Sequence, residues 1–270
     1  MKRHIYLSPH SDDAALSCGG AIHGQARRGE RPLALTMFGG NPPRMAFSEF
    51  AQGQHDKWEL EEDAAMALRR QEDAAALRVL GAEAAYLDDL DCIYRLHPQT
   101  GAPMYASEEG IFGEIDPAEA EYHLALARRI AALAGPPEPG LTIYAPATAG
   151  HHVDHQLACR AACALRREGY RVLLYEDYPY CQKPGELERA LAAWPGEGPL
   201  RPRLARYGEA AMRVRVAAIA AYRSQIRTLF GDLEAMDRQV RAYCEGLAAG
   251  GGAAARAARS RYAERFWAPG

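Results

Sequence analysis

The chain has 270 residues, 48% hydrophobic and 25% charged, the composition of a soluble globular protein long enough for a sheet covered by helices on both faces. Its 32 basic and 35 acidic side chains leave a formal net charge of −3, so no overall basic field marks a nucleic-acid binder. No apolar run approaches the roughly 20 residues of a membrane span, and no apolar signal core precedes Pro9 and His10.

In chain order, residues 4 to 8 (HIYLS) read as a short strand buried on both faces, and a helical pattern runs from Asp13 to near Gly29. Residues 32 to 38 (PLALTMF) read as a second strand, so the first 38 residues make a parallel pair with a right-handed crossover. A loop is expected over 39 to 58, then an amphipathic helix over 59 to 80 closed by Gly81, and a short strand over 84 to 89. Residues 92 to 116 show no period and read as an irregular insertion. A helix over 118 to 133 ends at GPPEPG, and LTIYAP (141 to 146) is a buried strand that delivers the chain to GHHVDH. A helix over 156 to 169 and a strand over 171 to 177 follow. From 178 onward the pattern reads as mainly helical, with AAGGGAAA (248 to 255) as a hinge before a tail helix. Arg256, Arg259, Arg261 and Arg265 would lie on its solvated face. These elements specify one α/β domain over 1–270, Rossmann-like with a mostly parallel sheet flanked by helices: a core over about 1–177 and a mainly helical part over about 178–270.

Ligands of open parallel sheets bind at the carboxyl ends of the strands. Two clusters of ionisable residues fall at such ends. His10, Asp12 and Asp13 follow the first strand; His151, His152, Asp154 and His155 follow the strand at 141 to 146. Either cluster alone would be read as a helix cap or a solvated pair. Together, at matched strand ends, imidazoles and carboxylates suit a borderline metal with an open position for water, a second carboxylate to take the water's proton and a further histidine to stabilise an oxyanion.

SPHSDDAALSCGG followed by GHHVDHQL resembles the signatures of the PIG-L/LmbE-like zinc-dependent de-N-acetylases, and the order of elements agrees along the chain. The resemblance implies that His10, Asp13 and His155 ligate zinc (another divalent metal such as Fe(2+) being an option) and that Asp12 is the general base. It further implies that His152 stabilises the oxyanion and protonates the amine, with Asp154 orienting His152 and holding its pKa up. Arg69, in LRRQED, matches the arginine that contacts the substrate sugar, with Glu72 following. Ser11 and Ala14 stand where the family has Pro and Glu, and His151 has no counterpart and reads as a rim residue.

The expected activity is removal of an acyl group, foremost acetyl, from a glucosamine-type sugar or glycoconjugate such as a glycosylated natural product. The alternatives are an amidase for a larger thiol conjugate or long N-acyl chain, a sugar-binding member without catalysis, and a two-metal phosphohydrolase, which needs more ligands than can be placed. Asp88, Asp89 and Asp91 are expected either to cap a loop or to line the cleft, Met37 and Trp58 to pack, and Gly19 and Gly20 to allow close helix packing. Cys159 and Cys163 read as buried apolar residues, and with no CxxC pair among six cysteines the expectation is a reduced, cytoplasmic protein. The expected partner is the small N-acyl sugar substrate, with a homo-oligomer left open.

Overall fold

In the computed structural model, residues 2–42, 47–58, 65–250 and 260–270 are described. The elements in chain order are β1 (Arg3–Ser8), α1 (Asp13–Arg27), β2 (Arg31–Thr36), α2 (Glu49–Trp58), α3 (Ala65–Leu80) and β3 (Glu83–Tyr86). They continue with α4 (Glu108–Ile111), α5 (Tyr122–Ala134), β4 (Leu141–Pro146), α6 (Val153–Arg167), β5 (Arg171–Tyr175) and α7 (Glu186–Ala192). The chain closes with β6 (Leu200–Tyr207), α8 (Glu209–Ile219), α9 (Arg223–Phe230), α10 (Leu233–Ala249) and β7 (Tyr262–Pro269).

The strands form one sheet in the order β3-β2-β1-β4-β5-β7-β6. β1 to β5 are mutually parallel, and β7 and β6 extend the sheet antiparallel beyond β5. The chain leaves β1 toward β2 and β3, then returns to place β4 on β1's other side. The strand order therefore reverses between β1 and β4, the position where open α/β sheets hold ligands. Buried Leu, Ile and Ala from β1 and β4 pack on α5 and α6 on one face of the sheet. On the other, Tyr6 and Tyr144 meet Ala14, Cys18 and Ile22 of α1 and Ala76 and Leu77 of α3.

Three sequence expectations change, and a fourth falls partly outside the described residues. The loop over 39 to 58 contains α2, where the Ser48 hydroxyl accepts the Ala51 N–H at 3.1 Å and Ala51 and His55 are buried one turn apart; Gly53 and the polar residues between hide that period. The helix expected from 59 is described only from Ala65, since 59–64 lie outside the described residues, as does the Trp58 side chain. The helix expected from 156 starts at Val153, with His152 as its N-cap. The part beyond 178 is helical over α7 to α10 but also holds β6 and β7. The tail at 262 to 269 is a strand, not a helix, because Tyr262 and Phe266 face the core and pair with β6. Pro202 is tolerated because β6 is an edge strand. Arg256 and Arg259 lie outside the described residues. Arg261 pairs with Glu245 at 2.7 Å, and Arg265 pairs with Glu176.

Gly19 and Gly20 pack closely, as expected, but against side chains. Arg215 of α8 and Glu264 of β7 form a buried ion pair at 2.9 Å that reaches into one turn of α1. Arg215 donates to the Leu16 carbonyl, and the N–H groups of Gly20 and Ala21 donate to the Glu264 carboxylate at 2.7 and 2.8 Å. A Cβ on Gly20 would lie 2.4 Å from the Tyr207 ring, whereas one on Gly24, a turn later, meets only the end of Arg28 at 3.5 Å. Gly20→Ala is expected to destabilise the chain by roughly 1–3 kcal/mol through overpacking. Gly24→Ala is expected to stabilise it by about 0.5–1 kcal/mol through helix propensity. Urea unfolding of the two variants beside the parent chain checks both signs.

Candidate metal centre and active site

The β1–β4 junction supplies the site. β1 ends at Ser8, whose hydroxyl donates to the His10 carbonyl at 2.5 Å and accepts the Ala14 N–H at 3.0 Å. This fold of the loop sets His10 and Asp13 on the same side, and the Asp13 carboxylate accepts the His10 N–H at 2.7 Å. From β4, the loop 147 to 152 takes Thr148, Gly150 and His151 through positive φ before α6 begins, and puts His155 in the first turn of that helix. A Cβ on Gly150 would lie 3.0 Å from Tyr180, so a bare backbone lets the loop pass there.

Among the described residues, His10, Asp13 and His155 offer donor atoms within 4.8 Å of one another. Asp13 Oδ2 lies 3.6 Å from His10 Nδ1 and 3.4 Å from His155 Nε2. Ligands at about 2.0–2.1 Å around a tetrahedral zinc stand about 3.4 Å apart, so the spacing fits a metal of that size. The outward nitrogen of each imidazole is held by a buried carboxylate: His155 Nδ1 by Asp177 at 2.7 Å, His10 Nε2 by Asp154 at 3.1 Å. Such partners fix the ring and its tautomer for ligation. Burial alone would lower the His10 pKa, but Asp91, Asp13 and Asp154 outweigh it and raise the pKa well above the usual value. Burial would raise Asp13, but His155 and His10 hold it below the carboxylate range, ionised and fit to ligate. The donor set and its charge fit a divalent cation.

Asp12 is buried beside this trio, 3.6 Å from the Arg69 guanidinium. Burial raises its pKa, with Arg69 opposing, which moves it in the direction a general base needs. His152 Nδ1 accepts the backbone N–H of Asp154 at 3.2 Å, so the neutral ring carries its proton on Nε2. Burial, then His10, push its pKa well down. Here the arrangement departs from expectation. The Asp154 carboxylate holds His10 and Arg95 rather than His152, and it is the Asp154 backbone that orients His152, because the N-cap position turns Nδ1 toward that N–H.

These residues line a cleft of about 200 Å³ walled by Asp91, Ile93, Phe112, Tyr180, Gln225 and Leu229 among others. Arg69 lines it, as expected of a substrate contact. Glu72 does not; it accepts the Ser224 N–H and hydroxyl at 2.9 and 2.6 Å and ties α3 to α9. His151 points to a neighbouring groove and meets Glu114 at 3.1 Å. Asp91 lines the cleft and also accepts the Ile93 N–H, Asp89 binds Tyr122 and Arg129, and Asp88 is exposed. Met37, Cys159 and Cys163 are core residues. Asp177 escaped the sequence reading although it follows β5 at the same sheet edge. Arg95, in the aperiodic insertion, gave no periodic signal.

From behind, Tyr222 braces the loop at Ser11. Its hydroxyl lies 3.0 Å from the Ser11 carbonyl and 2.7 Å from Asp73 Oδ1. The phenol proton can go to either acceptor, and burial pushes the Asp73 pKa up to about 7.

The PIG-L: GlcNAc-PI de-N-acetylase family model matches residues 5–166, and the chain belongs to that family. It is 30% identical over 249 residues to the 2'-N-acetylparomamine deacetylase of Niallia circulans, covering 84% of this chain and 82% of that protein. A structure of the zinc inhibited form of teicoplanin deacetylase Orf2 superposes with a TM-score of 0.79 at 26% identity, covering 98% of this chain and 97% of the other. The antimicrobial reagent A40926 pseudoaglycone deacetylase Dbv21 gives 0.69 at 25% identity, over 99% and 96%. The chain is thus an amide-hydrolysing enzyme with a mostly parallel LmbE-like fold, and no helix among the described residues is long and apolar enough to cross a membrane.

Because Asp73 binds its proton more tightly folded than unfolded, the folded chain holds more protons between about pH 4 and 7, and this contribution to stability is lost as pH rises through about 7. Asp73→Asn is expected to remove that loss. Denaturant midpoints of the two proteins should draw apart in favour of the variant as pH is raised from 5 to 8, on the order of 1 kcal/mol or more.

Proposed function

We propose that the protein is a zinc-dependent deacetylase that frees the 2-amino group of an N-acetylglucosamine-type sugar on a glycosylated natural product. The observation that carries this is the convergence of Asp12, His152 and the trio His10, Asp13 and His155 on one cleft at the β1–β4 junction. The paromamine and teicoplanin deacetylases support the substrate class, and the ligand types support zinc.

His10, Asp13 and His155 would hold the metal, which when bound polarises the amide carbonyl and lowers the pKa of water. The chain's own residues do the rest. Asp12 takes a proton from the attacking water; its buried position favours the protonated form that results, and Arg69 keeps enough of it ionised to begin. His152, neutral with its proton on Nε2, donates to the oxygen that becomes negative as the carbonyl carbon turns tetrahedral. The C–N bond then breaks, and the amine leaves with the proton that Asp12 took from the water. Arg69 orients the sugar from the wall of the cleft beside Asp12. Six unpaired buried cysteines support a reducing compartment such as the cytoplasm.

The test is purified protein assayed for acetate release from N-acetylglucosamine conjugates, with metal content measured in parallel. Asp12→Ala is expected to retain metal and lose about 10²–10⁴-fold in kcat. Asp13→Ala and His155→Ala are expected to lose the metal itself. Full hydrolysis by the Asp12 variant would remove it as the base, and undiminished metal uptake by the other two would remove the ligand set.

A further inference from the structure

The segment between β3 and α5 carries a buried cation near the site, Arg95. Its Nη1 donates to Asp154 Oδ1 at 2.6 Å and to the Leu90 carbonyl at 3.0 Å. Its Nε and Nη2 face the two oxygens of Glu119 at 2.7 and 3.1 Å. The guanidinium also lies over the rings of Phe38 and Tyr105 at 5.2 and 5.3 Å. Asp154 has no solvent exposure, and its other oxygen accepts the Cys92 N–H at 3.1 Å and faces His10 Nε2 at 3.1 Å.

The geometry points to Arg95 as a positioning residue for the metal centre: it holds the Asp154 carboxylate, which holds His10 with Nδ1 turned to Asp13. The inference rests on the reading of His10, Asp13 and His155 as metal ligands. Arg95 does not line the cleft. Without it, the buried Asp154 carboxylate loses the cation that keeps it charged and in place, and the His10 ring loses its fixed acceptor. Partners at this remove from a metal change affinity by about 10–100-fold. The same guanidinium bonds Leu90 and Glu119, on either side of the segment that supplies Asp91, Ile93 and Phe112 to the cleft. The substrate wall and the ligand geometry are therefore set by one group.

The experiment is zinc titration of the full chain against a competing chelator, for wild type, R95Q, R95K, D154N and R95Q/D154N. R95Q is expected to raise the zinc Kd by about 10–100-fold, and R95K, which keeps the charge but not the planar fork, to recover part of the loss. D154N should weaken zinc similarly, and the double variant should add little, since both remove one link. A fold defect alone would lower Tm without this coupling. Wild-type zinc affinity in R95Q, or losses that simply add in the double variant, would overturn the inference while leaving the metal centre standing. If R95Q is recovered unfolded, R95K decides: a several-fold loss supports the inference, and unchanged affinity overturns it. No zinc uptake by the wild-type chain would overturn the metal-centre reading and this inference with it.

Discussion

A carboxylate with no access to water keeps its charge only if the protein supplies the cations and N–H groups that water would have. Asp154 meets that requirement with Arg95 on one oxygen, and His10 and the Cys92 N–H on the other. Most of the site hangs on this knot. Helix α6 is anchored to the insertion through it, His10 is oriented by it, and the Asp154 backbone N–H fixes the His152 tautomer. Although Asp91, Cys92 and Asp154 group closely enough to hold an ion, the Asp154 oxygens are already engaged.

The same economy of charge operates at a second buried pair. Arg215 and Glu264 join the C-terminal helices and the last strand to α1, and two glycines in α1 give them room. α1 carries Asp13 at its first position, so the C-terminal part braces the helix that bears this proposed ligand. Tyr222 and Asp73 brace the Ser11 loop from the same side. The C-terminal part also reaches the cleft through Gln225 and Leu229. It is a structural partner of the α/β core rather than an appendage.

The chemistry divides along these lines. The groups assigned to bind the metal or move protons come from the first turns after β1 and β4, where strand ends and helix starts leave side chains facing one edge of the sheet. The groups that hold those residues come from elsewhere: Asp177 after β5, Arg95 in the insertion, Tyr222 before α9. The first set can be reached from the order of strands. The second needs to be seen in three dimensions.

Sequence by itself determined the parallel α/β core and the placing of two ionisable clusters at matched strand ends, with His10, Asp12, Asp13, His152 and His155 as candidates. Each of these rests on local pattern: apolar runs that only a buried strand satisfies, and ionisable residues placed directly after them. It misjudged α2, whose glycine and polar residues mask its period, and the terminal strands, whose pairing is long-range and leaves no trace in local spacing. It also turned Asp154 toward His152, since two residues of one motif suggest a pair. Only the tertiary structure turned that carboxylate to His10 and Arg95, because which group neutralises a buried charge depends on what folding brings within 3 Å of it, from 59 residues away in the case of Arg95.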